Sequence, residues 1–122
     1  MESVTLKGLF DIQAGNQREM LKTGMYAGQV GGPIDTELPM DSVSLCSYHV
    51  QQLVSEIGEV LTADKRWKSH RQDNYNSQDK LEEIADCFIV MMNIAMFSGF
   101  NGEDVEKAIT DKLDIVAKRL KE

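Results

Sequence analysis

The chain has 122 residues, 42% apolar and 27% charged, with 9 Gly, 2 Pro and 2 Cys, which excludes disordered, collagen-like and disulfide-rich classes and points to one globular domain over 1–122. At this length folding buries roughly two-thirds of the surface of the unfolded chain, so the core is thin and oligomerisation is a natural way to thicken it. Thirteen Lys and Arg against twenty Asp and Glu give a net charge of −7, which repels phosphate backbones and anionic lipid, so neither nucleic acid nor a membrane is an expected partner.

The opening stretch MESVTLKGLF has no basic region, long apolar run or small-residue cleavage site, and no apolar stretch approaches the ~20 residues of a membrane span, so a cytoplasmic protein is expected. Leu6, Leu9, Phe10, Ile12, Met20 and Leu21 recur at loose helical spacing and predict a first amphipathic helix over about 4–22, weakened by Gly8 and Gly15. From Thr23 to Met40 the glycines at 24, 28, 31 and 32, with Pro33 and Pro39, break every period and predict a long loop, either a lid or a connector. This helix and loop occupy 1–40, and the motif-bearing helices occupy 41–122.

Asp41 is a suitable N-cap, and after it Val43, Cys46, Val50, Leu53, Val54, Ile57, Val60 and Leu61 mark the apolar stripe of a second helix over about 42–64. The polar stretch KRWKSHRQDNYNSQD reads as a connector, after which Ser77 can cap a third helix running to about Ser98, with Gly99 as C-cap. Within that helix CFIVMMNIAMF, residues 87–97, has Asn93 as its one polar interruption, so almost every face needs cover, and a partner subunit is the expected source. Asn101 caps a fourth helix with Glu103 and Asp104 in its first turn and Lys118, Arg119 and Lys121 at its end, each sign favoured by the helix dipole. With no strand-period segment and no internal repeat, the expected fold is all-α. Cys46 and Cys87 lie in apolar surroundings without CxxC or His spacing and read as free thiols, with no zinc site.

Glu56 and Glu59 are three residues apart in the second helix and lie side by side along one border of its apolar stripe, with His49 and Gln52 on the same strip. Glu83 and Asp86 repeat that spacing in the third helix, and Asn93, seven residues after Asp86, lies nearly above it. Antiparallel packing would bring the four carboxylates together, and like charges that close need protons or cations between them. A site of acids without His or Cys ligands suits Mg²⁺, which usually shares its coordination sphere with a substrate phosphate. A single ExxE or ExxD on an amphipathic helix is usually a solvated face, so the weight rests on the two pairs occurring together.

EIGEV (56–60) followed by LEEIADCFIVMMNIAMFSGF (81–100) resembles the MazG-like family of all-α nucleoside triphosphate pyrophosphohydrolases, whose pattern is ExxE, a spacer, then ExxD; here 23 residues separate Glu59 from Glu83, and the likeness spans about residues 42–120. The resemblance implies a four-helix-bundle-type protomer completed as a homodimer or dimer of dimers, Mg²⁺ held through Glu56, Glu59, Glu83 and Asp86, and cleavage between the α and β phosphates to give a monophosphate and pyrophosphate. Glu59 is the preferred base. Trp67 and Lys68 are similar to the aromatic-basic element of dUTPase-like and dCTPase-like relatives that stacks a base and meets phosphate, although Trp67 also suits an ordinary amphipathic anchor. Lys112 and Arg119 match basic positions of a KLxxNxxR-like element, but Val116 stands where that element has Asn. Asn93, as a lone polar group in an apolar run, needs a hydrogen-bond partner.

His49 and His70 have no second His at ligand spacing and no nucleophile to activate, so both read as structural or exposed. Two alternatives stay open: a phosphoribosyl-ATP pyrophosphatase or dUTPase-like enzyme, and a non-catalytic acidic helical dimer that binds a protein partner.

Overall fold

The computed structural model describes residues 4–68 and 75–122, and among them the regular elements are all helical, as expected of an all-α chain. Helix α1 (Leu6–Lys22) begins where Thr5 Oγ1 accepts a 3.0 Å hydrogen bond from the Gly8 N–H, and it buries Phe10, Gln17 and Leu21 along one face. The glycine-rich segment predicted as a lid or connector is a packed strap with one short helix of its own, α2 (Ala27–Val30). Its Ile34 N–H bonds the Leu21 carbonyl at 3.0 Å, and its Met40 N–H bonds the Met96 carbonyl at 3.0 Å. Arg18 pairs with Asp35 at 3.1 Å and Glu37 at 2.9 Å from the outside, while Tyr26 enters the core.

Helix α3 (Val43–Ala63) starts one residue later than the sequence suggests, because Asp41 is taken up in an isolated antiparallel bridge to Ser98 and Ser42 Oγ accepts from the Leu45 N–H instead. A 3-10 turn (Lys65–Trp67) follows directly. Helix α4 (Ser77–Met96) is capped by Asn76, whose Oδ1 accepts from Gln78 and Asp79, so Ser77 is already helical. Beyond Met96, Gly99 adopts a φ of +89°, a left-handed conformation that turns the chain toward α5 (Gly102–Leu120). There Asn101 and Asp104 cap each other reciprocally, at 2.9 and 3.0 Å.

Helices α3 and α4 form the principal pair, α1 packs on α4 and α5, and α2 packs on α3. The pair is antiparallel: Asp64 at the end of α3 meets Lys80 near the start of α4, while Cys46 at the start of α3 lies 3.4 Å from Ser98 just past the end of α4. Phe10, Leu21, Tyr26, Leu45, Val90, Met96 and Phe97 are the buried apolar side chains among the described residues. Helix α5 buries only Gly102, where an added Cβ would come within 3.0 Å of the Lys7 Cα, and the Lys7 N–H donates to Glu106 Oε1 at 2.7 Å. The apolar run of α4 is only half covered, with Val90, Met96 and Phe97 buried while Phe88 stays 68% exposed. No helix among the described residues is long and apolar enough to cross a membrane, Cys46 and Cys87 are free thiols, and His70 lies outside the described residues.

Candidate functional site

The antiparallel pairing sets the first turns of α4 opposite the last turns of α3, and Glu56, Glu83 and Asp86 each place a carboxylate oxygen within 4.8 Å of the other two. Glu56 and Glu83 are half-buried at the border of the helix contact, and Asp86 is exposed. Three of the four expected carboxylates therefore converge. Glu59, one turn further along α3, is exposed and outside that group, yet its charge is felt at Glu83. Desolvation, and then the charges of Asp86, Glu59, Glu56 and Glu82, push the Glu83 carboxyl above the ordinary range. Burial, and then the charges of Glu56, Asp86 and Glu83, push the Cys87 thiol up as well.

Three carboxylate oxygens this close are a group that could hold a hard divalent cation. The donor set also fits chemically: carboxylate oxygens only, with mutual repulsion to relieve.

Glu56 and Asp86 also line a cleft of about 360 Å³ between α1, α3 and α4. Further along it Asn93, 4% exposed, accepts a 2.9 Å hydrogen bond from Gln13 Nε2, the partner its burial demands. Tyr26 Oη donates to Gln17 Oε1 at 2.6 Å, and His49 Nδ1 lies 3.1 Å from Gln52 Oε1. A larger groove of about 660 Å³ runs along α5 past Phe100, Val105 and Ile109, but its charges include the self-contained Lys107–Asp111 ion pair and it holds no acid cluster.

The remaining sequence-derived candidates lie apart from this cleft. Trp67 is 59% exposed and donates its Nε1–H to the Leu61 carbonyl at 3.0 Å, with Lys68 Nζ 5.2 Å from its ring centroid. Lys112 and Arg119 are on exposed faces of α5, which packs on α1, and they do not line the cleft. Conversely, Gln13, Gln17 and Tyr26 line it without having been singled out from the sequence. The amides at 13 and 17 are four apart on α1, a polar pair within an otherwise apolar helix face, and that was the one available signal.

Asp64 organises the far end of the helix pair. It accepts from Arg66 Nε and the Arg66 N–H at 2.8 and 3.1 Å and from Lys80 Nζ at 2.9 Å, and the Arg66 guanidinium lies over the Tyr75 ring. Arg66 first, then Lys80, hold its carboxyl well below the usual carboxylate range. Comparison of the chain with protein-family models, with curated proteins and with solved structures finds no match in any of the three.

Proposed function

We propose that this chain is a Mg²⁺-dependent nucleoside triphosphate pyrophosphohydrolase that cleaves between the α and β phosphates of ribo- or deoxynucleoside triphosphates, as in nucleotide-pool sanitation in the cytoplasm. The observation that carries the reading is the convergence of Glu56, Glu83 and Asp86, of which Glu56 and Asp86 line the cleft; the resemblance of the same two acidic motifs to the MazG-like family agrees with it. Glu56, Glu83 and Asp86 would hold the cation. Bound there, Mg²⁺ would neutralise the triphosphate and make water easier to deprotonate.

The chain's own residues supply the rest. Glu59, exposed and outside the tight group, is free to accept the proton of the attacking water. The water oxygen bonds the α phosphorus, and the α–β bridging oxygen leaves with pyrophosphate. Asn93 is the proposed substrate contact inside the cleft; Trp67, Lys68, Lys112 and Arg119 would contact base and phosphates only from outside it. A homodimer or dimer of dimers is part of the proposal. Val54 on α3 and Phe88 on α4 are 69% and 68% exposed, apolar surface that a second copy would cover.

The test is pyrophosphate release from a panel of ribo- and deoxynucleoside triphosphates in Mg²⁺ and in EDTA. Release is expected only with Mg²⁺, reduced by at least ~10²-fold in Glu59→Ala, the usual scale for a lost general base. No release from any triphosphate would overturn the proposal in favour of the acidic dimer that binds a protein partner.

A further inference from the structure

We infer that His49 Nε2 is a ligand-reading atom, an acceptor at the uncharged end of the cleft for an N–H or O–H of the nucleoside part of the substrate. The nucleoside chemistry rests on the proposed function; the site itself rests on the geometry. His49 is 1% exposed, and its Nε2 is the buried side-chain nitrogen or oxygen left without a hydrogen-bond partner among the described residues. Buried polar atoms are almost always satisfied, so an unpartnered nitrogen on a residue that lines the cleft asks what satisfies it. The imidazole is otherwise fixed. It stacks on Phe97 at 5.3 Å and 3°, meets the edges of Tyr26 and Tyr48 at 5.7 and 5.0 Å, and has Nδ1 against Gln52 Oε1. With that oxygen accepting, Nδ1 carries the proton and Nε2 presents its lone pair. Burial lowers the imidazole pKa below its ordinary value, which keeps the ring neutral at neutral pH.

The helix register gives the cleft two unlike ends. His49 precedes Glu56 by seven residues on α3, and Asn93 follows Asp86 by seven on antiparallel α4, so each helix carries a carboxylate and a neutral polar group two turns apart. At 1.5 Å per residue the two levels are separated by roughly 10 Å. Around the His49 level the lining is amide, phenol and imidazole among the apolar side chains of Met20, Met25, Ile89 and Val90, without formal charge. A ligand with a polyanion at one end and an uncharged heterocycle on a sugar at the other matches both levels, whereas an inorganic polyphosphate would leave the neutral level unused.

The experiment follows the His49 ring nitrogens by ¹⁵N NMR in the intact chain. The probes are the four 2′-deoxynucleosides in EDTA and, on Glu59→Ala protein with Mg²⁺, the corresponding triphosphates. The Nε2 resonance is expected to move with at least one nucleoside. Loss of that movement with the 2′,3′-dideoxy form assigns the donor to the sugar, and loss with the N-methylated base assigns it to the base. In turnover, His49→Phe keeps a flat ring on Phe97 and is expected to raise KM about tenfold, as for one lost hydrogen bond, with a smaller change in kcat, and His49→Gln to recover part of it. An Nε2 resonance unmoved by every probe overturns the inference, and because it is read on the wild-type and Glu59→Ala chains it does not depend on whether His49→Phe folds. Pyrophosphate release with an unmoved Nε2 would sink the His49 assignment alone; movement without release would sink the proposed reaction alone.

Discussion

Asp64 and Glu83 are carboxylates at the same helix pair, and their surroundings push them in opposite directions. Asp64 gathers Arg66 and Lys80, which hold its carboxyl low, whereas Glu83 is desolvated and faces other acids, which push its carboxyl up. A carboxyl whose folded pKa is depressed stabilises the fold above its unfolded value, near 3.9, and that contribution is lost as pH falls through the folded value. Asp64→Asn should therefore lower the melting temperature at pH 7, on the order of a few degrees Celsius, with the gap to wild type closing below about pH 4. Thermal melts by circular dichroism across pH 2–7 check this, and a gap that stays constant to pH 2 would refute it. Little of this was legible in the sequence, since Lys80 is sixteen residues from Asp64. The same holds for His49: its place on the Glu56 strip followed from spacing, but its burial depends on Tyr26 and Phe97, which arrive from elsewhere in the chain.

At the level of elements, the acid-bearing helices were legible because their apolar stripes repeat at 3–4 spacing and both acid pairs border the stripe. Their caps each fell one residue away from expectation, at Ser42 rather than Asp41 and at Asn76 rather than Ser77. In each case two adjacent residues can cap, and tertiary contacts choose between them, as the Asp41–Ser98 bridge does. The segment 23–40 read as a loop because glycine and proline erase periodicity, yet backbone bonds to Leu21 and Met96 hold it against the core. Helix α5 docks on α1 at Gly102, where a methyl group would press on the Lys7 backbone. Helix propensity favours Gly102→Ala by up to ~1 kcal/mol, but overpacking against backbone costs typically 1–3 kcal/mol, so a net destabilisation of about 1 kcal/mol is expected in urea unfolding. An unchanged or raised unfolding midpoint would show that α5 yields freely.

On the scale of the whole molecule, the apolar side chains left open on α3 and α4, Val54 and Phe88 among them, are the surface that self-association would bury. Exposed Phe88 lies on an apolar groove of about 490 Å³ with Leu9, Ile12, Leu81 and Met92, where α1 meets α4. Sedimentation equilibrium should give a mass at least twice 13.7 kDa. Phe88→Asp should weaken self-association by ~2 kcal/mol or more, about thirtyfold, as for a central aromatic anchor. A wild-type chain that sediments as a monomer at tens of micromolar would contradict this assembly.

If the acid cluster directs water to the α phosphorus of a nucleoside triphosphate, the oxygen of that water ends in the monophosphate. Hydrolysis in ¹⁸O-labelled water, with the products weighed by mass spectrometry, tests it most directly. Mg²⁺-dependent formation of nucleoside monophosphate carrying the label, and of unlabelled pyrophosphate, is expected. Nucleoside diphosphate and labelled inorganic phosphate as the products, or label in the pyrophosphate, would contradict it.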